Sequence, residues 1–256
     1  MRLTLLRGIC NVMDVFQQNK TLVFFYHSIS NKNSRLSVDP DIFEKQIKHL
    51  QKENFKSISP FDLSESRNLK GKNIMICFDD GFKDNLSVAQ PILEKYGFMA
   101  TVFVATKFIG AKSEYGIDDK DRDNEMMNRD ELKSLEQKGW IIANHFHSHR
   151  NLIDLSNEEI VEELNTSRDI LEDIVTNKKS VDIVSYPRNK INKKVLDLME
   201  EEGVDLAFAG DRELVNTKSN KLALPRIEID RDVSFDKFRL YLSPSYFFIR
   251  NKIFKR

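Results

Sequence analysis

Apolar residues along this chain fall into short unbroken runs, separated by longer stretches in which they recur every three or four positions. The runs are "TLVFFYHS" (21–28), "NIMICF" (73–78), "MATVFVA" (99–105), "WIIANH" (140–145), "VDIVSY" (181–186), "VDLAFA" (204–209) and "ALPRIEI" (223–229). Each is short and rich in β-branched or aromatic side chains, which predicts a buried strand. The intervening stretches predict helices. Asp39 as N-cap and Pro40 at the first helical position open one, with Phe43, Ile47 and Leu50 on its apolar face. Val88, Ala89, Ile92 and Leu93 mark another, kinked by Pro91. Asn128 with Glu131, and Ser156 with Glu159, have the spacing of capping boxes; the first helix ends at Gly139, and the second carries Ile160, Val161, Leu164, Leu171 and Ile174. Ile191, Val195 and Leu198 define a last helix, stopped by Gly203.

Continuous apolar strands alternating with amphipathic helices indicate an α/β fold, a parallel sheet covered by helices. About seven such units in 256 residues suit one closed or nearly closed (β/α) barrel better than two domains. The single domain is expected to span 1–256, with its core at about 20–230 and a helical, basic tail at 231–256. In parallel folds, site residues gather at the C-terminal ends of strands. That puts His27, Asp79, Asp80, His145, Arg188 and Asn189 on one rim.

Composition narrows the picture. Lys plus Arg and Asp plus Glu each total 40, so the chain lacks the basic footprint of a nucleic-acid binder. Its two cysteines make no disulfide framework, and Cys77, inside an apolar run, reads as a buried thiol. In the opening "MRLTLLRGICNVMDVF", Arg7 and Asp14 interrupt what would have to be the apolar region of an export signal, and no stretch reaches the length of a membrane span. A cytoplasmic location is expected. The tail "FRLYLSPSYFFIRNKIFKR" mixes aromatic and basic residues; packing on the barrel is the commoner outcome for such a segment, and peripheral contact with a membrane surface is the alternative.

The candidate chemistry begins with "ICFDDGF" (76–82), where two acids stand together at the end of an apolar strand. Adjacent carboxylates repel and burial opposes their ionisation, so a cation is expected nearby. Of five histidines, three lie in "NHFHSH" (144–149), also at a strand end. One carboxylate and two imidazoles with an open position form a common catalytic metal site, and a neighbouring carboxylate can then serve as proton acceptor. Spacing alone does not say which two histidines bind.

"FDDG" followed by "ATVFV" and "IANHFHSHRNL" resembles the polysaccharide deacetylases, the NodB-homology carbohydrate esterases, over roughly residues 20–230. The resemblance implies a distorted (β/α) barrel. It implies Asp79 as general base, a divalent metal (Zn²⁺ expected) on Asp80, His145 and His149, and His147 outside the ligand set. "SYPRNK" (185–190) falls where the family has a groove-lining segment. Arg188 is expected near the base, orienting its carboxylate or gripping substrate, with Tyr186, Pro187 and Asn189 along the groove. "YHSIS" also resembles the start of many members and brings His27 close to the pocket. Two departures stand out. Phe146 replaces the Ser or Thr of many members, and no histidine follows His149, although members often carry a late one that protonates the leaving amine. His27 is the first candidate for that acid, ahead of a water held by Arg188 or Asp79 returning its proton.

The reading that results is a metal-dependent deacetylase acting on the N-acetyl group of an amino sugar, in a surface polysaccharide or a lipid- or nucleotide-linked precursor. Its rivals are a carbohydrate-binding protein that has lost turnover and a related amidase or O-acetyl esterase. The polar segment 107–128 reads as a lid or groove wall, or as a plain solvated loop.

Overall fold

The computed structural model describes residues 21–66, 69–114, 124–210 and 213–254. The stretch read for an export signal, Cys10 and the middle of segment 107–128 lie outside these residues. Eleven strands appear among those described: β1 (Leu22–Tyr26), β2 (Ser28–Ile29), β3 (Ser37–Val38), β4 (Lys56–Ser57), β5 (Asn73–Phe78), β6 (Thr101–Val104), β7 (Ile141–Asn144), β8 (Ile183–Ser185), β9 (Leu206–Ala209), β10 (Leu224–Pro225) and β11 (Ile227–Glu228). The helices are α1 (Pro40–Lys52), α2 (Pro60–Glu65), α3 (Gln90–Lys95), α4 (Arg129–Gln137), α5 (Asn157–Glu172), α6 (Lys193–Glu201), α7 (Phe235–Tyr241) and α8 (Pro244–Phe254).

One parallel sheet runs in the order β10-β9-β8-β7-β6-β5-β1-β11, with β4 added beside the first half of β5; β2 and β3 pair separately. The two ends of that order belong to one stretch of chain. Leu224 and Pro225 pair with Phe208 and Ala209, whereas Ile227 and Glu228 pair with Phe24 and Phe25. The expected seventh strand, 223–229, is therefore two short strands meeting at Arg226, and this segment bridges the first strand and the last to make a nearly closed barrel.

Alternation along the strands sorts side chains into two layers. Val23, Phe25, Met75, Cys77, Phe103 and Ala143 join Ile183, Phe208 and Leu224 in one apolar cluster inside the barrel. Leu22, Phe24, Tyr26, Ile74, Ile76 and Phe78 point outward to the helices that cover them. On the far side, Val184, Ala207 and Ala209 pack beneath α5 and α6 with Ile160, Leu164, Val195 and Met199.

The helix termini follow their local chemistry. The Asp39 side chain accepts from the N–H groups of Asp41 and Ile42. Reciprocal capping boxes form at Asn128–Glu131 and Ser156–Glu159, and a third, at Ser59–Asp62, opens α2. The Pro91 kink takes the form of a widened π turn over Asn85–Ala89 leading into α3. Proline lacks the N–H that would bond back one turn, and its ring crowds the carbonyl four residues earlier; a wider turn relieves both. Of the expected apolar face of α5, Ile174 lies just past the helix end but is still buried.

The described part of the tail packs on the outside of the barrel. Phe238 meets Phe24 edge-on at 5.5 Å, Phe235 meets His49 of α1 at 5.5 Å, and Phe247 is buried with Tyr241. Among the described residues, no helix is long and apolar enough to cross a membrane.

The outer core turns on α1. Phe43 is fully buried, with its ring 5.1 Å from Tyr26 and 6.0 Å from Phe78. Phe43→Ala removes contacts to both β1 and β5 and leaves a cavity, with an expected loss of ~3–5 kcal/mol. Urea titration should show a lower midpoint at unchanged slope.

Candidate metal centre and active site

The same alternation that fills the barrel builds the site. His27 continues the inward series of Val23 and Phe25, Asp79 that of Met75 and Cys77, His145 that of Ala143, Ser185 that of Ile183, and Arg226 that of Leu224. Backbone bonds knit these strand ends into one floor: the Asp79 N–H donates to the Tyr26 carbonyl, and the His145 N–H to that of Val104, both at 3.0 Å.

The two acids face different surroundings. Asp80 turns toward the histidines, with its Oδ1 3.5 Å from His145 Nε2 and 3.4 Å from His149 Nε2. One ligand atom from each of the three lies within 4.8 Å of the other two. Asp79 is held by Arg226 through two parallel bonds of 2.7 and 2.8 Å, and Ser185 Oγ adds a longer one of 3.4 Å. Arg226 is 0% exposed, lies over the Phe25 ring at 4.2 Å, and donates a further bond to Asn189 Oδ1 at 2.9 Å. Gly210 makes that last contact feasible, since a Cβ there would stand 2.6 Å from Asn189 Cγ.

Protonation follows from these contacts. Burial opposes ionisation of Asp79, but the charge and hydrogen bonds of Arg226 outweigh it and bring the carboxyl down to about 2. Burial first, then the charges of His145, Arg188 and His27, pushes protonation of His149 well below the ordinary histidine value, so its imidazole is neutral. His145 Nδ1 lies 2.7 Å from the Ser185 carbonyl, which can only accept; Nδ1 therefore carries a hydrogen, and Nε2 is the nitrogen that faces Asp80. Burial also pushes the Cys77 thiol up to about 12, leaving it inert beneath Arg226.

This donor set fits a divalent ion. A carboxylate oxygen and two imidazole nitrogens are ligands that a catalytic zinc takes, and ligand bonds of ~2.0–2.2 Å in a tetrahedron put donor atoms roughly 3.4 Å apart. The two Asp80–histidine separations match that edge.

The rim carries backbone strain. Six non-glycine residues among those described have left-handed φ, and five of them are Asp80, Phe146, His149, Arg188 and Asn189. Such strain persists only where the surroundings over-determine it, and it gathers at functional sites.

The other predicted residues are distributed unevenly. His27 is half-buried at the rim, edge-on to Phe25 at 5.7 Å. His147 points away from the cluster, its Nδ1 3.0 Å from Thr106 Oγ1. Arg188 is exposed, with left-handed φ, and is not the arginine on Asp79; of its two expected places, the one that orients the carboxylate is taken by Arg226. Tyr186 is not on a groove wall: it is fully buried, stacks on Phe146, and donates its hydroxyl to the Leu222 carbonyl at 2.8 Å. Pro187 is buried beside it, and Asn189 supports Arg226. The flanks of segment 107–128 pack as well, since Phe108 and Met126 form a small core with Phe82 and Ala105. Arg226 was missed, yet "ALPRIEI" held a signal: a charged residue at an inward position of an apolar strand has to find a buried partner.

The sequence model of the polysaccharide deacetylase family matches residues 66–207, more than half of the chain. The chain belongs to that family. This polysaccharide deacetylase is 30% identical over 227 residues to the poly-β-1,6-N-acetyl-D-glucosamine N-deacetylase of Staphylococcus aureus (strain MRSA252), a match covering 84% of this chain and 74% of the relative. Its fold is that of the Streptococcus pyogenes deacetylase PplD, solved in complex with acetate (TM-score 0.75, 24% identity, 89% of this chain and 100% of the other). IcaB from Ammonifex degensii is similar in fold (TM-score 0.74, 18% identity, 89% of this chain and 97% of the other). As a polysaccharide deacetylase it is a hydrolase of carbohydrates.

Loss of Arg226 tests the buried pair. Arg226→Met strands an unpaired carboxylate, with an expected cost of ~3–5 kcal/mol at neutral pH. In the parent the Asp79 pKa is depressed, so its stabilisation is present above the unfolded value of ~3.9 and is lost as pH falls through about 2. In the variant the largest lowering influence is gone, burial dominates and that pKa rises, so the deficit should shrink as pH falls toward about 3. Denaturant midpoints of both chelator-treated proteins across this range provide the check.

Proposed function

We propose that this chain removes the N-acetyl group from an amino sugar of a surface polysaccharide or its precursor, with Zn²⁺ held by Asp80, His145 and His149. The observation that carries the proposal is the convergence of one carboxylate oxygen and two imidazole nitrogens at the rim, beside a second carboxylate with a partner of its own. When bound, the ion would polarise the acetyl carbonyl and acidify a water.

The chain's own groups account for the rest. Asp79, ionised and fixed at both oxygens by Arg226, accepts the proton of the attacking water. Its orientation is set before substrate arrives, which removes reorganisation from the reacting step. Having a low pKa, it releases that proton readily. His27 is the group assigned to protonate the departing nitrogen, because it is half-buried on the same rim, at the end of the strand beside the one that leads into Asp79. Arg188, exposed beside the cluster, is assigned to the substrate's polar groups. The Staphylococcus aureus relative supports N-acetylglucosamine as the sugar, in a β-1,6-linked chain or a lipid- or nucleotide-linked precursor of one.

Asp79→Asn should lose ~10²–10⁴-fold in acetate release from N-acetylglucosamine oligomers while keeping its metal. Asp80→Ala should lose both metal and turnover. Metal analysis alongside an acetate assay reads the two effects separately. Full turnover in Asp79→Asn would remove the base assignment, and acetate release from O-acetyl esters alone would move the chemistry to another bond.

A further inference from the structure

We propose that Glu163 is a positioning residue for the metal centre: it holds the loop that presents His149 and thereby sets the affinity of the site for its ion. The inference rests on the metal assignment above and adds a residue to it.

The loop from His145 to His149 needs support. Phe146 and His149 both have left-handed φ, 63° and 57°, a conformation that costs of order 1–3 kcal/mol for a non-glycine residue. The front of the loop is tied down: the Phe146 N–H donates to Asn144 Oδ1 at 2.7 Å, and the Phe146 and His147 carbonyls accept from the N–H groups of Thr106 and Lys107. None of these bonds reaches the residues next to His149. The side chain at 146 offers none either, since Phe146 is buried among apolar groups.

Ser148, immediately before His149, is held by Glu163 alone among the hydrogen bonds of the described residues. Its N–H donates to one carboxylate oxygen at 2.7 Å and its hydroxyl donates to the other. Glu163 is 7% exposed and projects from α5, whose neighbouring Ile160 and Leu164 are fully buried in the core. A carboxylate in that setting is costly unless it accepts several bonds. Here both oxygens accept from one residue, so the arrangement fixes the Ser148 backbone and, one residue on, the strained Cα that aims His149. A buried helix, rather than the loop itself, then dictates where His149 Nε2 stands relative to Asp80.

Zinc dissociation constants should be measured on the full chain by competition with a chromophoric chelator, together with melting temperatures of the zinc-free proteins. Glu163→Ala should weaken zinc by ~10–100-fold, and Glu163→Gln, which keeps one acceptor, should fall between it and the parent. Leu171→Ala, a core change elsewhere on α5, should lower the melting temperature at least as far while leaving the zinc constant within about twofold. Parental affinity in Glu163→Ala would overturn the proposal, as would equal weakening in Leu171→Ala. If Glu163→Ala does not fold, parental affinity in Glu163→Gln overturns it. A parent chain that binds no zinc would remove the metal assignment itself, a separate failure.

Discussion

A guanidinium and a carboxylate, both withdrawn from water, face each other inside the barrel, and much of the structure follows from keeping them together. Arg226 and Asp79 have side-chain exposures of 0% and 3% and share two bonds of 2.7 and 2.8 Å. Desolvating two such ions costs several kcal/mol each, and only good geometry with every lone pair and proton used offsets it. The structure supplies the geometry from four directions, using both terminal nitrogens of Arg226 though not its Nε: β5 leads into Asp79, the closing segment brings Arg226, the Phe25 ring lies beneath the guanidinium, and Asn189 takes another hydrogen. Because Arg226 sits where the 224–228 segment changes partners from β9 to β1, the pair can form only when the barrel closes. Closure of the barrel and the placing of the Asp79 carboxylate thus depend on the same residue.

The pair also explains how adjacent acids come to face different partners. Asp79 spends its charge on a permanent protein cation and stays ionised at any physiological pH. Asp80, one residue on and with left-handed φ, turns instead to His145 and His149, whose Nε2 atoms stand 3.5 and 3.4 Å from its Oδ1. Two like charges in one dry space are tolerable only if each has its own counter-charge. The backbone reversal at Asp80, continued by Gly81 at φ 92°, is the local device that separates them.

Strain is concentrated on the same rim. Asp80, Phe146, His149, Arg188 and Asn189 hold conformations that favour glycine, and each lies on a loop tied to a rigid neighbour by hydrogen bonds. A parallel barrel offers a rigid wall and free loops at one end, and such loops can be held in unfavourable shapes because the wall does not yield.

The sequence alone specified strands β1 and β5–β9 and helices α1 and α3–α6, because burial on both faces of a parallel strand and on one face of a helix leaves distinct periodicities. Capping pairs such as Asn128–Glu131 and Ser156–Glu159 were readable for the same reason: their partners are three residues apart. Asp79, Asp80 and the histidine loop were legible because two polar clusters stood at the ends of apolar runs. What the tertiary structure alone decided is which residues meet across the barrel. Arg226 lies 147 positions from Asp79; its place inside an apolar run says that it needs a buried partner, but only the path of the whole chain makes Asp79 that partner. Tyr186 looked like a groove residue until packing on Phe146 took it into the core. The division of 223–229 into two strands was equally invisible, since one apolar stretch can pair with either neighbour and only closure of the sheet makes it pair with both. Local patterns record what each segment must bury; the partners that satisfy a buried charge depend on the path of the whole chain.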